Sequence, residues 1–514
     1  MEPDYSWKNA EPGLTTHLSL DPDAGKLLEQ IKMDLGGSQD LVIRRFEQES
    51  DSPVAALLYI DGISDENTIN RYISEVLQFS RDQISDDESK RVSLKLNALE
   101  LMQRVGSVIP LVDLDSLYKS LLSGGTILIL DGSESAYCAD NREWKGREVS
   151  ESPNQTSIRG PRESFTETLR VNTALIRRKI KDPRLWMETI TIGRLTKTEV
   201  TLAYIQGLAK PSIVKEARSR LKAIDIDGVL DSGYLEELIQ DNRTSLFPTM
   251  KNTELPDSVA GELLEGKIAI LVDGTPDVLI APAPFFSFMQ SAEDYYQYAF
   301  YSSLLRLLRL LGLFIALLLP SIYIAITTFH RDMLPFTLLF SLAAQREGVP
   351  FPAFVEALAM EITFEILREA GLRMPRPIGQ AVSVVGTLVI GQAAVEAGFV
   401  SAAMVIVVSV TAIATFTLPS YSISIPIRIL RFAFMATAAS FGLYGIILLS
   451  LLLLLHLSSL NSFGEPYMSP LSPIRFRGVE EDFLTRLPRW LSFRQPRSSQ
   501  RKGAVRIKYR KKGE

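Results

Sequence analysis

Leu121-Leu-Ser-Gly-Gly-Thr-Ile-Leu-Ile-Leu-Asp-Gly132 recurs later in the chain as Leu263-Leu-Glu-Gly-Lys-Ile-Ala-Ile-Leu-Val-Asp-Gly274. Each copy reads as a helix stopped by glycine, a short apolar strand, and an Asp-Gly turn into a returning strand at 135–139 or 277–281. Upstream, Leu58-Tyr-Ile-Asp-Gly62 is matched by Ala203-Tyr-Ile-Gln-Gly207, and helical patterns follow both, at 69–77 and 213–221. The two pairs of landmarks lie roughly 142–145 residues apart. A nearly constant offset in a shared order predicts two related α/β subdomains, 25–150 and 151–290, behind an N-terminal tail at 1–24. The polar, Pro/Gly/Ser-rich stretch 140–161 reads as their linker.

Beyond the second copy the composition changes. From about residue 304 to 457, Leu, Ile, Val, Ala, Phe and Gly dominate and charge is sparse, which predicts a membrane domain over 291–460. Four spans are expected, at 310–328, 380–398, 401–418 and 432–457, with Pro320 inside the first and a short connection at Phe399. Arg306 and Arg309 precede the first span, as expected of its cytoplasmic end. Four spans place both chain ends on one side, so the basic tail over 461–514, densest at 494–512, joins the front half in the cytoplasm. Arg428 and Arg431 run against this count, because they would then face outward. No apolar stretch follows the acidic opening Met1-Glu-Pro-Asp4, so no signal peptide is expected. The tail reads as a topology signal resting on anionic lipid, with nucleic acid as the disfavoured alternative.

Between the first two expected spans, 333–344 is apolar but too short to cross as a helix. After Pro350-Phe-Pro352, residues 353–371 are expected to form an amphipathic helix with Val355, Leu358, Ile362 and Ile366 on one face. Glu361, Glu365 and Glu369 align at helical spacing, with Glu356 nearby. Carboxylates beside a membrane either face water from an interfacial helix, helped here by a Glu369–Arg373 pair, or line a wet path for cations. Both readings stand at the level of sequence. Gln392 and Glu396 are the polar residues of the second span; Glu396 lies close enough to Phe399 to reach the interface instead. These six residues are the ion-path candidates. Gly386, Gly391, Ala393, Ala394, Ala397 and Gly398 permit close helix packing, so a homo-oligomer is expected.

Enzyme chemistry finds little footing. There is neither a G-x-x-x-x-G-K-[ST] phosphate loop nor a G-x-G-x-x-G between strand and helix. Cys138 is the sole cysteine, and His17, His330 and His456 are far apart, so no metal site or cofactor is expected. Asp225, Asp227 and Glu236 fit three positions of a calcium loop, but Val229 and Leu230 stand where a ligand and a glycine are needed. A helix cap at Asp231 or Ser232 is the simpler reading. Asp131 and Asp273 are explained by their turns. The helix expected after 162 carries a basic face at Arg170, Arg177, Arg178 and Lys179, read as solvated or as a subunit contact, with phosphate or partner binding as the alternative. The sequon at Asn154 is irrelevant in a cytoplasmic region. No catalytic residues are assigned.

Several stretches resemble a known family. Tyr59-Ile-Asp-Gly62, Arg159-Gly-Pro-Arg-Glu-Ser-Phe-Thr-Glu-Thr-Leu-Arg-Val-Asn-Thr-Ala-Leu-Ile-Arg-Arg178 and Asp273-Gly-Thr-Pro276 occur in this order. Val349-Pro-Phe-Pro-Ala-Phe-Val-Glu-Ala-Leu358 and Glu365-Ile-Leu-Arg-Glu-Ala-Gly-Leu-Arg-Met-Pro375 follow. Together they resemble the A subunits of spore germination receptors, the GerA family, over roughly residues 25–490. The resemblance implies a multi-pass protein of the spore inner membrane, without enzymatic activity, working with a transporter-like B subunit and a lipoprotein C subunit. It also implies assembly into a nutrient-gated cation channel that starts germination. A solute transporter is the alternative, disfavoured because four spans show no inverted repeat. The family supplies no catalytic or settled pore residues to carry over.

Overall fold

Two five-stranded sheets of identical strand order make up the front of the chain. In the first, β1 (Leu41–Phe46), β2 (Ala55–Ile60), β3 (Val108–Leu111), β4 (Thr126–Leu130) and β5 (Ala136–Ala139) lie in the order β1-β2-β4-β5-β3. In the second, β6 (Leu185–Ile192), β7 (Thr198–Ile205), β8 (Lys251–Thr253), β9 (Ile268–Val272) and β10 (Val278–Ala281) lie in the order β6-β7-β9-β10-β8. Antiparallel pairing runs through β1-β2-β4-β5-β3 and through β6-β7-β9-β10. The expected duplication is therefore a duplication of sheet topology.

This computed structural model describes residues 19–46, 55–65, 67–74, 100, 102–103, 108–141, 159–373, 391–472 and 485–486. The end of the first helical pattern at 75–77, most of the linker, the sequon, the second expected span up to residue 390 and the basic stretch 494–512 lie outside them. The chain divides into two compact units. One holds residues up to Arg243 together with Asn252–Pro282; the other holds Thr244–Lys251 and Ala283–Gln495.

Strand periodicity explains the first sheet. Ala56, Leu58 and Ile60 pack with α1 (Ala24–Asp34) and α2 (Leu114–Leu121), while Ala55, Leu57 and Tyr59 turn to the opposite face with Ile69 and Tyr72. With both faces covered, β2 is apolar throughout. In the second half, Leu185, Met187, Ala203, Ile205, Ala269 and Leu271 pack with α3 (Leu169–Lys179) and α6 (Pro256–Leu264); α4 (Pro211–Lys222) and α5 (Ser232–Ile239) lie between β7 and β8 in sequence.

The matched Asp-Gly turns do more than reverse the chain. Asp131 Oδ1 accepts from Ala24 N at 3.4 Å, and Asp273 Oδ1 accepts from Leu169 N at 3.0 Å. Each aspartate thus meets an orphan N–H at the start of the helix that opens its own half. Read along the chain, these residues belong to a turn; in three dimensions they also fasten the two ends of a subdomain.

The basic face of α3 is a corrected expectation. Arg177 is neither solvated nor offered to a partner: it is fully buried, donating from Nε and Nη2 to Asp40 at 2.8 and 3.0 Å and from Nη1 to the Leu185 carbonyl at 2.7 Å. Arg170 lies 3.7 Å from Asp61 and 3.8 Å from Glu199, and Arg178 and Lys179 share Glu163. Around Arg177, Trp186 Nε1 donates to Asp34 O at 3.0 Å and Met187 N to Ser38 Oγ at 3.0 Å. Gly36, at φ +64°, lies so close under the Trp186 ring that a Cβ would overlap it. The helix is the joint between the two halves.

In the second unit, α7 (Ala299–Thr328) contains the first expected span and begins earlier than its hydropathy. Arg306 and Arg309 at its base both donate to Asp294 Oδ2, at 3.0 and 2.9 Å. Next come α8 (Phe336–Arg346), α9 (Ala353–Arg373), a short α10 (Gly391–Glu396), α11 (Ala402–Phe416) and α12 (Tyr421–Ser459). Among the described residues, α7 and α12 are long and apolar enough to cross a membrane. The expected third span is α11, only 15 residues.

The expected fourth span is not one straight helix. Gly442 has φ 62° and ψ −143°, a conformation outside any helix. A Cβ built on Gly445 would sit 2.5 Å from the carbonyl oxygen of Thr437, whereas residues eight apart in a continuous helix are separated by about 12 Å. The chain therefore turns back at Gly442, and 421–441 and 443–459 are two arms. Phe329 and His330 occupy the space that a side chain at Gly442 would need. Hydropathy could not show this, because folding a helix back leaves its composition unchanged.

Candidate functional site

Helix α9 begins just after Pro352 and is helical throughout, as its spacing predicts, and its apolar stripe is not the face it buries. Val355, Ile362 and Ile366 are exposed, at 39%, 45% and 64%, while Glu356 and Glu361 are buried. Its carboxylates point into the helical unit. Burying them demands partners, and each has one.

Glu356 sits at the start of α11. Its Oε2 accepts from the backbone N and the Oγ of Ser401, both at 3.1 Å, and Ser401 in turn caps α11 through Met404 N at 3.3 Å. An anion is favoured there by the unpaired N–H groups and the helix dipole. Arg346, at the end of α8, reaches within 3.3 Å of Oε1.

Further along α9, Glu361 Oε2 accepts from Arg431 Nη1 at 2.6 Å. Arg431 is as buried as its partner. Its Nη2 donates to Thr415 Oγ1 at 3.0 Å, and its Nε donates to the Ala316 carbonyl at 2.7 Å. That carbonyl is available for a covalent reason: the residue four positions on is Pro320, which has no N–H to complete the helical bond. One guanidinium therefore ties together α7, α9, α11 and the first arm of α12. Glu361 Oε1 has no hydrogen-bond partner among the described residues.

Glu365 is half-buried and takes a two-point contact from Arg428, with Nε to Oε1 at 2.9 Å and Nη2 against Oε2. Glu369 pairs with Arg373 at 2.7 Å on the same helix, exposed as expected. Gln392 donates to Glu396 at 2.8 Å, and both are exposed; the structure does not show them joined to the α9 carboxylates. The six candidates thus fall into a buried pair, a half-buried one, an exposed one, and a separate couple on α10.

In the sequence, Arg428 and Arg431 stand out only as topological anomalies. Their spacing of three against the Glu361/Glu365 spacing of four, in apolar surroundings, was the available signal that they are counter-charges. Ser401, Thr415 and the Pro320-freed carbonyl carry no such signal, since their roles are purely tertiary.

Of the residues weighed as a calcium loop, one is committed to an arginine. Asp225 pairs with Arg194, and Asp231 caps α5 through Gly233 N at 3.1 Å while accepting from Thr275 Oγ1 at 2.7 Å. Burial, with Asp277 and Asp231 close by, pushes the Glu236 carboxyl up to about 7. Burial, with Glu254 and Asp231, raises Asp277 to about 6. Among the described residues no group of three or more His, Cys, Asp or Glu is placed to hold a metal ion.

Comparison with known proteins bears on what such a chain does. The model of the Bacillus/Clostridium GerA spore germination protein family matches residues 29–498. Spore germination protein KA of Bacillus subtilis (strain 168) is 46% identical over 488 residues, covering 95% of this chain and 88% of that protein. Spore germination protein GerLA of Bacillus cereus is 40% identical over 495 residues, covering 96% and 99%. Among solved structures, the N-terminal domain of the A subunit of the Bacillus megaterium spore germinant receptor GerK3 is 41% identical. It covers 52% of this chain and 98% of its own, at a TM-score of 0.39.

Proposed function

Because this chain belongs to the Bacillus/Clostridium GerA spore germination protein family, we propose that it is the A subunit of a nutrient germinant receptor acting as a nutrient-gated cation path. On this reading it is a multi-pass protein of the spore inner membrane, with both termini in the cytoplasm. It has no enzymatic activity of its own and works with a transporter-like B subunit and a lipoprotein C subunit. Several copies surround the path, and its opening releases cations and starts germination.

One observation carries the reading beyond the family. Glu356, Glu361 and, in part, Glu365 are turned into an apolar helical unit and matched there to arginines, while Val355, Ile362 and Ile366 stay exposed. Buried ionisable groups among membrane helices mark ion pathways more often than packing. An interfacial helix with a solvated acidic face, the other reading of the sequence, would show the opposite orientation.

The test uses spores lacking only this chain, challenged with amino acids, sugars and nucleosides while germination and cation release are followed. Loss confined to particular nutrients, with a normal response to a receptor-independent trigger, is expected. A normal response to every nutrient, together with no cation flux through the purified complex in vesicles, would remove the proposal.

A further inference from the structure

Arg431 is buried where a positive charge is costly, and a path that attracts cations has no obvious use for it. It lies against Glu361, the most buried carboxylate of α9, and cancels its charge. It also determines where α9 sits. Helix α7 is held by large inward side chains such as Leu313, Leu317 and Ile324. Among the described residues, the fully buried apolar residues of α9 are Ala353 and Ala357, with Phe354, Leu358, Met360, Phe364 and Leu367 partly covered. What fastens α9 is instead a row of charge contacts: Glu356 to the α11 N-terminus and Arg346, Glu361 to Arg431, and Glu365 to Arg428. An element held by polar contacts can be released without tearing an apolar core, and the central contact is the one that involves four helices.

We propose that Arg431 is the positioning residue that holds α9 in its closed place and masks Glu361. Opening separates the two, and the bared carboxylate then faces a hydrated cation. The pair is suited to this. Among the described residues Glu361 has one oxygen without a hydrogen bond, while Arg431 keeps the Ala316 carbonyl on Nε and the Thr415 hydroxyl on Nη2 when Glu361 leaves. The masking role rests on the cation-path reading; the holding role does not.

The two are tested separately. Hydrogen exchange of the full chain in detergent is followed over 353–373 and 299–328. Arg431→Gln should speed exchange in 353–373 about tenfold or more while 299–328 keeps its protection. Arg431→Lys, which keeps the charge but cannot reach three acceptors at once, should fall between. Unchanged exchange in 353–373, or equal loosening of both helices, overturns the proposal. Should Arg431→Gln fail to accumulate, Arg431→Lys and Glu361→Gln read the same contrast. In spores, Arg431→Gln should release cations without nutrient; release that stays fully nutrient-dependent overturns the masking role. Absence of flux even in the wild-type complex would sink the cation-path reading instead, and the exchange contrast would still decide what holds α9.

Discussion

Arg177–Asp40 in the α/β unit and Arg431–Glu361 in the helical unit are both buried ion pairs, and they are built differently. In the α/β unit, Arg177 meets Asp40 through two parallel bonds that take both carboxylate oxygens, and its third nitrogen donates to the Leu185 carbonyl. Shape reinforces it, through the Trp186 ring seated over Gly36. In the helical unit, Arg431 gives Glu361 a single bond and divides its other donors between a freed carbonyl and a hydroxyl. The first pair is saturated and joins two halves that already fit. The second leaves one carboxylate oxygen without a hydrogen bond among the described residues, and it is the middle one of three charge contacts that hold its helix over a thin apolar contact. The same chemistry therefore serves as a fixed joint in one place and as a releasable one in the other.

The sharpest way to break the comparison is at the fixed joint. Asp40→Ala leaves Arg177 buried and unpaired, so the α/β unit should lose about 3–5 kcal/mol of stability. Urea unfolding, followed by tryptophan emission in a chain whose other three tryptophans are replaced by phenylalanine so that Trp186 alone reports, measures it. Asp40→Leu combined with Arg177→Met should recover much of the loss, because the uncompensated charge goes with its partner. A loss below about 1 kcal/mol in Asp40→Ala would mean the joint gives way easily, and the distinction between the two pairs would fall.

How far the sequence disclosed this depends on the range of the interaction. The duplicated halves were legible because strand alternation, a glycine stop and an Asp-Gly turn are local signals, and they recur at one offset. Arg177 was misread because its partner lies 137 residues away, and a count of charges on a helix face cannot include it. The alignment of Glu361, Glu365 and Glu369 was legible from spacing alone; the direction they face was not, since that is decided by Arg428 and Arg431 on a distant helix. Those arginines stood out only because they offended the charge rule for membrane loops. Both lie inside α12, not in a loop, and are committed to carboxylates of α9. The reversal at Gly442 depends on the backbone conformation of one residue.

A second contrast lies within the α/β unit, where Glu236 and Asp277 are raised by burial and by neighbouring carboxylates rather than lowered by a cation. The sign follows. Their folded values, about 7 and about 6, exceed the ~4 of unfolded carboxyls. The folded state thus binds more protons, and its stability declines as pH rises from about 4 to about 7. The urea midpoint should therefore be higher at pH 5 than at pH 7.5, and Glu236→Gln should flatten that slope. An unaltered slope would show that Glu236 is not held neutral, and that the cluster tolerates its charges as the arginine pairs do.

The smallest effect is expected at the outer end of α9, where it sharpens the comparison most. Glu369 and Arg373 are 60% and 81% exposed, so their pair is screened by water and adds little. Glu369→Gln should change exchange protection of 353–373 by less than about twofold, equivalent to under ~0.5 kcal/mol. Glu365→Gln, half-buried against Arg428, should lie between this and Glu361→Gln. Such a gradient is what a single chain produces when burial alone sets the strength of each clasp. If Glu369→Gln instead matched Glu361→Gln, the exposed end of α9 would have to be covered in the working protein. Ile362 and Ile366, left bare on the same helix, would then mark the face that a neighbouring molecule occupies.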